Sequence, residues 1–542
     1  MTNRTAMSPL LVALAALLIG SPAPLAAASR VDDRTEHAMV GAAFPQREAL
    51  AAPAPTAKTP PTRVGGKKPA PRPRRTRRYP VTWSSPLTGN ALAADLDALV
   101  PGPSSGHWGA LVVSLTRGDT LWHLHAGQSL MPASTMKLFT SALALDKFGP
   151  AYQFRTEVLR DGALGPDGTL TGNLVLRGDG DPAIAPRLLG GSPDDPMMRL
   201  ARDVAAAGIK RVTGDIVADG SAFEDRRIPE GWKKRYLRAA YAARVSALSL
   251  NENLVWVVVH AGKKSAEVWT EPASAGLPVV NEVSLVAGRG ARVRVGRNAT
   301  GALVVRGRIG AQASERRLSF VVDDPATFTA GAFKSSLEAI GVKVGGLLRS
   351  AAAPPTAARV ASLSSPPLAQ LVSAMNGESI NLYAELLFRN AARGPLRLGI
   401  GSADAANVEL MQFLRQKVGV DSGAVSAKDG SGLSTMDRVT PRSLVKVLAY
   451  GNASTWSSAF HQSLPVAGES ETLRRRMRHT PAQGNLHAKT GTTNDVSSLA
   501  GYVTAKNGEL LAFAMLYNGT DRWRARARMD RVGATLAAFA RQ

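Results

Sequence analysis

Alternating and helically spaced apolar positions divide the chain into three textures. A helical run, Ala91-Leu-Ala-Ala-Asp-Leu-Asp-Ala-Leu-Val100, starts the ordered part near Pro86. Gly109-Ala-Leu-Val-Val-Ser-Leu115 and Thr120-Leu-Trp-His-Leu-His125 follow as strands paired across Arg117-Gly-Asp119. Next comes Met131-Pro-Ala-Ser-Thr-Met-Lys-Leu-Phe-Thr140, whose apolar spacing continues to Phe148 before Gly149 stops it. Proline is tolerated just before a helix and not inside one, so this helix is predicted to start near Ser134.

From about 152 to 355 short β-like runs dominate: Phe154–Leu159, Gly172–Arg177, Asn253–His260, Ala291–Val295 and Ala302–Arg306. Gly-rich turns separate them, and only Arg199–Ala207 and Ala332–Ile340 read as helices. Helical spacing returns over Leu368–Met375, Ser379–Ala392, Ala403–Lys417 and Ser443–Tyr450. A hairpin, Ser498–Thr504 and Leu510–Tyr517, turns at Asn507-Gly508, and a basic helix from Asp521 closes the chain. The expected fold is α+β: an antiparallel sheet flanked by helices, built from 85–151 and 356–542. A β-rich insert at 152–355, read as two subdomains, interrupts it.

Composition adds export. Arg4, the apolar run Leu10–Gly20 and Ala26-Ala-Ala28 have the layout of a secretory signal peptide over 1–28. That run is too short to span a bilayer, so a soluble protein in the periplasm or cell envelope is expected. Residues 29–84, rich in Pro and basic residues, read as a disordered linker; 29–80 hold 12 Lys/Arg against four acids. The whole chain carries a formal net charge of +24. Export removes nucleic acid as a partner and leaves an anionic envelope polymer for the linker, against the plain alternative of a solvated charge surplus. Cys is absent, which excludes disulfides, thiol nucleophiles and thiolate metal sites. His123 and His125 share a strand face, yet no acidic and histidine cluster accompanies them, so neither metal nor cofactor is expected.

The candidate chemistry lies in three short motifs. In a helix, Ser134-x-x-Lys137 holds an amine one turn from a hydroxyl, and an unprotonated lysine can accept the proton a serine must lose to attack a carbonyl. Ser379-Ile-Asn381, at a helix start, adds a hydroxyl able to relay a proton and an amide able to hold the lysine or a substrate carbonyl. Lys489-Thr490-Gly491 lies in a strand whose small Gly lets an extended peptide pair along its edge. Lys489 and Thr490 suit a terminal carboxylate, and the N–H groups of Ser134 and Thr492 suit an oxyanion. Each of the first two patterns has a rival, Ser443-Leu-Val-Lys446 and Ser249-Leu-Asn251. The former falls after Ser-x-Asn in an amphipathic helix and is read as structural.

The ordered set S-x-x-K, S-x-N, K-T-G resembles that of penicillin-binding proteins and class A β-lactamases. Longer stretches narrow this: Pro132–Lys137, Arg177-Gly-Asp-Gly-Asp-Pro182, Ser246–Asn253, Ser379–Glu385, Asp429-Gly-Ser-Gly-Leu-Ser434 and His487–Gly491. Over roughly 85–540 the chain resembles the class C low-molecular-mass penicillin-binding proteins, the D-Ala-D-Ala carboxypeptidase/endopeptidase family. The resemblance implies a penicillin-recognising transpeptidase-like domain split by inserted domains, with peptidoglycan stem peptides as substrates and β-lactams as covalent inhibitors. It implies that Ser134 attacks the D-Ala-D-Ala amide and that the same site cuts cross-links. Asp219-Gly-Ser-Ala-Phe223 resembles a stretch that holds the stem-peptide side chain, which makes Asp219 and Phe223 binding candidates. Some relatives carry Arg after Gly-Leu-Ser; here that position is Thr435, with Arg438 or Lys428 as substitutes. The competing readings are a β-lactamase-like hydrolase, disfavoured by the long insert, and a non-catalytic envelope-binding protein, disfavoured by the intact motifs.

Overall fold

The computed structural model describes residues 81–100, 106–394 and 397–542; the expected signal peptide and all but the last residues of the expected linker lie outside them. The two ends of this chain make one five-stranded antiparallel sheet. Its strands run His487–Thr492, Val496–Thr504, Leu510–Gly519, Gly106–Ser114 and Thr120–Leu124 across the sheet. Successive side chains of a strand point to opposite faces, and here both faces are covered. Val112, Phe513 and Met515 face Leu92 and Leu96 of the helix Gly89–Leu99 and Met529 and Leu536 of Arg522–Ala538. Leu111, Ala512 and Ala514 face the opposite helical layer, with Leu138, Leu444 and Leu448. Burial on both faces explains why these strands read as near-continuous apolar runs.

That helical layer centres on Lys137–Phe148, buried from Lys137 to Leu145. A helix apolar all round must lie inside the protein. Around it pack residues of Leu368–Glu378, Asn381–Ala391, Ala403–Phe413 and Pro441–Ala453. Each fully buried Leu or Phe here, Leu138 and Phe139 among them, contributes about 1.5–3 kcal/mol of hydrophobic stabilisation.

Residues Arg155–Ser364 carry one seven-stranded sheet and two three-stranded sheets around a separate apolar cluster. The strand Ala358–Ser364 pairs with Arg155–Leu164, so this sheet runs past the boundary expected at 355. Val279–Val286, not foreseen as a strand, has exposed Asn281, Glu282 and Ser284 interrupting its apolar pattern. The insert leaves and re-enters at one place: Phe154 N donates to Ser365 Oγ (3.0 Å), and Ser365 N to Phe154 O (2.9 Å).

Candidate active site

Ser134 occupies a 3-10 turn, Ala133–Met136, that runs straight into the α-helix from Lys137. The helix start expected at Ser134 is thus a tighter turn, which still sets the lysine one turn on. Ala133 takes φ +47°, a left-handed conformation uncommon outside Gly. The turn is fixed from outside. Pro132 O accepts from Thr135 Oγ1 (2.8 Å) and from Ser498 Oγ in the sheet (2.7 Å). Glycines bring the neighbouring segments close. A Cβ on Gly491 would lie 2.9 Å from Ser134 N and 2.8 Å from Pro132 O, and one on Gly432 (φ +80°) would lie 1.8 Å from Ala133 O. The Lys-Thr-Gly strand therefore rests its backbone directly against the serine turn.

Lys137 Nζ is wholly buried and makes three contacts: Ser134 Oγ (3.1 Å), Asn381 Oδ1 (2.6 Å) and Ser431 O (2.8 Å). An ammonium has three protons to donate, and these three acceptors match them and define its position. Burial pushes its pKa down from the usual lysine range to about 7, while Asp429, Glu385 and Asp437 pull the other way. An amine near 7 is a usable proton acceptor at neutral pH.

Ser379 does not begin a helix. It ends Leu368–Glu378 in the left-handed region (φ +62°, ψ +41°), and the next helix starts at Asn381. This break sends the two side chains to two lysines: Ser379 Oγ accepts from Lys489 Nζ (2.9 Å), whereas Asn381 holds Lys137. Asn381 Nδ2 in turn donates to Tyr241 O (2.8 Å), which orients its oxygen towards the amine. Lys489 Nζ also donates to Thr490 O (2.9 Å); burial and the Lys137 charge hold its pKa well below the usual amine range. Both amines are fully buried, while Ser134, Ser379 and Thr490 are half-buried and Thr492 is exposed. The site is thus two serine–lysine pairs with their hydroxyls towards the accessible side.

Beneath Lys137 lies a buried acidic floor to which sequence reasoning assigned no role. Asp429 accepts from Ser431 N (2.9 Å), Gly432 N (2.6 Å), Ser434 N (2.7 Å) and Trp232 Nε1 (2.7 Å). Those bonds shape the loop whose Ser431 carbonyl meets Lys137. Glu385 accepts from Gly430 N (3.1 Å) and Asp437 from Lys428 N (2.7 Å). Burial raises the Glu385 pKa to about 8 and that of Asp437 well above the carboxylate range, Asp429 adding to both. The signal was present in the quoted Asp429–Ser434 and Ser379–Glu385 stretches, but an acid in a sequence does not announce that it will be buried.

The other candidates sit further out. Asp219 is buried, one oxygen accepting from Ser221 N and Oγ and the other from Ala353 N. It lines a cleft of about 690 Å³ with Arg177, Asp179, Arg393 and Arg397, and none of the motif residues lines it. Phe223 packs with Leu382, the residue after Asn381, and with Leu386 one turn further along the same helix. Thr435 Oγ1 donates to Gly231 O (3.2 Å); Arg438 is tied to the carbonyls of Thr435 and Asp437, and Lys428 to Glu230 (3.1 Å). Of the rival motifs, Ser443 closes a capping box with Thr440, while Lys446 reaches Gly419 O and Asp421. Ser249 Oγ donates to Ser246 O (2.8 Å) in the turn that precedes Leu254.

A sheet built from both chain ends stands beside two serines, two lysines and an asparagine gathered from three distant segments, an arrangement suited to a serine hydrolase. The chain belongs to the D-Ala-D-Ala carboxypeptidase 3 (S13) family, whose model matches residues 92–539. It is 33% identical over 479 residues to a D-alanyl-D-alanine carboxypeptidase of Actinomadura sp. (strain R39), covering 83% of this chain and 85% of that one. A D-alanyl-D-alanine carboxypeptidase DacB of Haemophilus influenzae is 26% identical over 450 residues, covering 81% of this chain and 90% of that one. Among solved structures, penicillin binding protein 4 of Haemophilus influenzae superposes with a TM-score of 0.67 at 25% identity, over 81% of this chain and 97% of that one.

Proposed function

We propose that the protein is a serine DD-peptidase that removes the terminal D-Ala of peptidoglycan stem peptides through an acyl-serine intermediate. The observation that carries this is Lys137 Nζ, 3.1 Å from Ser134 Oγ and held by burial at a pKa of about 7. Ser134 Oγ attacks the carbonyl of the penultimate D-Ala as its proton passes to Lys137 Nζ. The oxyanion forms against the N–H groups of Ser134 and Thr492. Collapse breaks the C–N bond; the proton taken up by Lys137 passes by way of the Ser379 hydroxyl to the leaving amine, and an acyl-Ser134 ester and a neutral Lys137 remain. Water then attacks the ester, gives its proton to Lys137 Nζ, and Lys137 returns it to Ser134 Oγ as the C–O bond breaks and the shortened peptide leaves. Asn381 keeps Lys137 aimed throughout. The substrate carboxylate settles on Lys489, Thr490 and the backbone beside Gly491, supplying the anion that the desolvated Lys489 lacks.

The same transfer cuts D-Ala-containing cross-links when the leaving amine belongs to a second stem peptide. A β-lactam would follow only its first half, which is why penicillin is assigned as an inhibitor. Asp219 and Phe223 enter this proposal as supports of the wall facing the stem-peptide side chain. The division into a transpeptidase-like body and an insert, and export through residues 1–28 to the periplasm or envelope, belong to the same reading. The basic segment 29–84 is assigned to contact with an anionic envelope polymer.

The test is D-Ala release from a peptide ending in D-Ala-D-Ala, with and without chelator. Release is expected to be unaffected by chelator and lost in Ser134→Ala. Full release by Ser134→Ala, or by wild type only with added metal, would refute the proposal.

A further inference from the structure

The insert carries a second charged feature that peptide cleavage does not use. Ala291–Arg297 and Leu303–Gly310 pair antiparallel, and their register sets Arg292 opposite Arg308 and Arg294 opposite Arg306. Like charges directly across a strand pair are destabilising, so two such pairs in succession are an arrangement that folding alone does not favour. All four arginines are exposed, whereas the alternate residues Val293, Val295, Val305 and Ile309 turn into the apolar cluster of the insert. The sheet therefore has one dry face and one cationic face.

The cationic face is concave. It forms a trough of about 890 Å³ that includes these four arginines and Arg297, with no acidic residue in its lining. Arg297 is already taken by Asp323 (2.8 Å), and Arg306 pairs at 2.6 Å with Glu282 on the third strand. Among the described residues, Arg292, Arg294 and Arg308 make no side-chain hydrogen bond or ion pair. Gly296 leaves the floor open, since a Cβ there would meet nothing within 4 Å, and Val304 and Val286 give the trough apolar patches.

We propose that this trough docks a linear polyol-phosphate polymer of the cell envelope. Guanidinium forks match phosphate oxygens two at a time. Arginines repeat about 6.6–6.8 Å apart along each strand and about 5 Å across, which suits a chain of regularly spaced charges better than a single small anion. The valines and Gly296 accommodate the uncharged spacers between phosphates. Concavity favours a chain over a bilayer, which presents a plane. The trough would hold the enzyme beside its wall substrate without touching the chemistry at Ser134, and it does not depend on the peptidase reading.

The experiment titrates the protein with synthetic poly(glycerol phosphate) at several salt concentrations. The variant R292Q/R294Q/R306Q/R308Q is compared with wild type, with the four Arg→Lys substitutions, and with R74Q/R75Q/R77Q/R78Q in the N-terminal basic segment. The sheet variant is expected to bind at least 10-fold more weakly at low salt. Its log K against log salt slope should flatten by about 3, from roughly 0.7–0.9 per lost phosphate contact. The Lys variant should retain most of the binding and the N-terminal variant most of the sheet-dependent slope. Melting temperature of the Gln variant without polymer should stay level, the relief of the like-charge pairs offsetting the lost Arg306–Glu282 pair. Unchanged affinity in the sheet variant, or loss confined to the N-terminal variant, would overturn the proposal. So would tighter binding to phosphatidylglycerol vesicles or polyglutamate than to the phosphate polymer, or a fall in melting temperature that accounts for the lost binding.

Discussion

At the scale of single residues, the site depends on an amine made basic only weakly. Lys137 has an ordinary neighbourhood in sequence, a Met before it and Leu-Phe after. Its burial costs the charged form more than the three acids below it return, and the pKa settles at about 7. Only the neutral amine accepts the serine proton. Acylation of Ser134 should therefore rise with pH, about tenfold per unit below 7, and level off above it. The check is the second-order rate of labelled-penicillin acylation between pH 5 and 9. Lys137→Ala should slow acylation by about 10²–10⁴-fold on the plateau above pH 7, with a smaller deficit at pH 5. A flat profile in wild type would show that Lys137 is not the base. Helical spacing fitted Ser134 with Lys137 and Ser443 with Lys446 equally, and it was the order of the three motifs that singled out the first pair. The third neighbour, the Ser431 carbonyl, was not legible, because a backbone acceptor leaves no trace in residue type.

At the scale of elements, the strands and helices of the two ends were readable because apolar runs and turn residues such as Asn507-Gly508 are local signals. The joint at Ser379 was not. Helical periodicity continues through it, and only the packed structure places Ser379 in the left-handed region so that Ser379 and Asn381 address different lysines. Close approach of strand to turn is likewise a pairwise property, visible in Gly491 only once Pro132 and Ser134 stand beside it. Gly491→Ala should push the strand His487–Thr492 away from the serine turn. Misplacing reacting groups by about 1 Å can cost about 100-fold in rate. The expected outcome is a loss of that order in kcat for D-Ala release with little change in melting temperature. Near-wild-type kcat would mean that the contact does not position the serine.

At the scale of the whole molecule, the insert is joined to the site by named bonds. Trp232 anchors Asp429, Tyr241 O orients Asn381, and Phe223 seals Leu382 and Leu386. Its sequence texture announced a β-rich stretch, and three sheets lie there around one apolar cluster. Nothing in that texture announced that Trp232 would bond Asp429 and that Tyr241 O would bond Asn381. Replacing 155–364 by a short Gly linker is geometrically easy, since Phe154 and Ser365 are already hydrogen-bonded. The trimmed protein should nevertheless fail to acylate, because Asn381 Nδ2 loses its partner, Asp429 loses the Trp232 donor among its four, and Leu382 and Leu386 become exposed. Leaving buried polar groups unpaired costs about 1–3 kcal/mol each. Acylation at the wild-type rate by the trimmed protein would show the insert to be dispensable to the chemistry.

The central claim is that Ser134 carries the acyl group. It is tested most directly by incubating the protein with penicillin, digesting it and locating the adduct by mass spectrometry. The account predicts one penicilloyl group on Ser134, in the peptide spanning Pro132–Lys137, and no adduct in Ser134→Ala. An adduct on Ser379 or Ser443, or labelling that persists in Ser134→Ala, would contradict it.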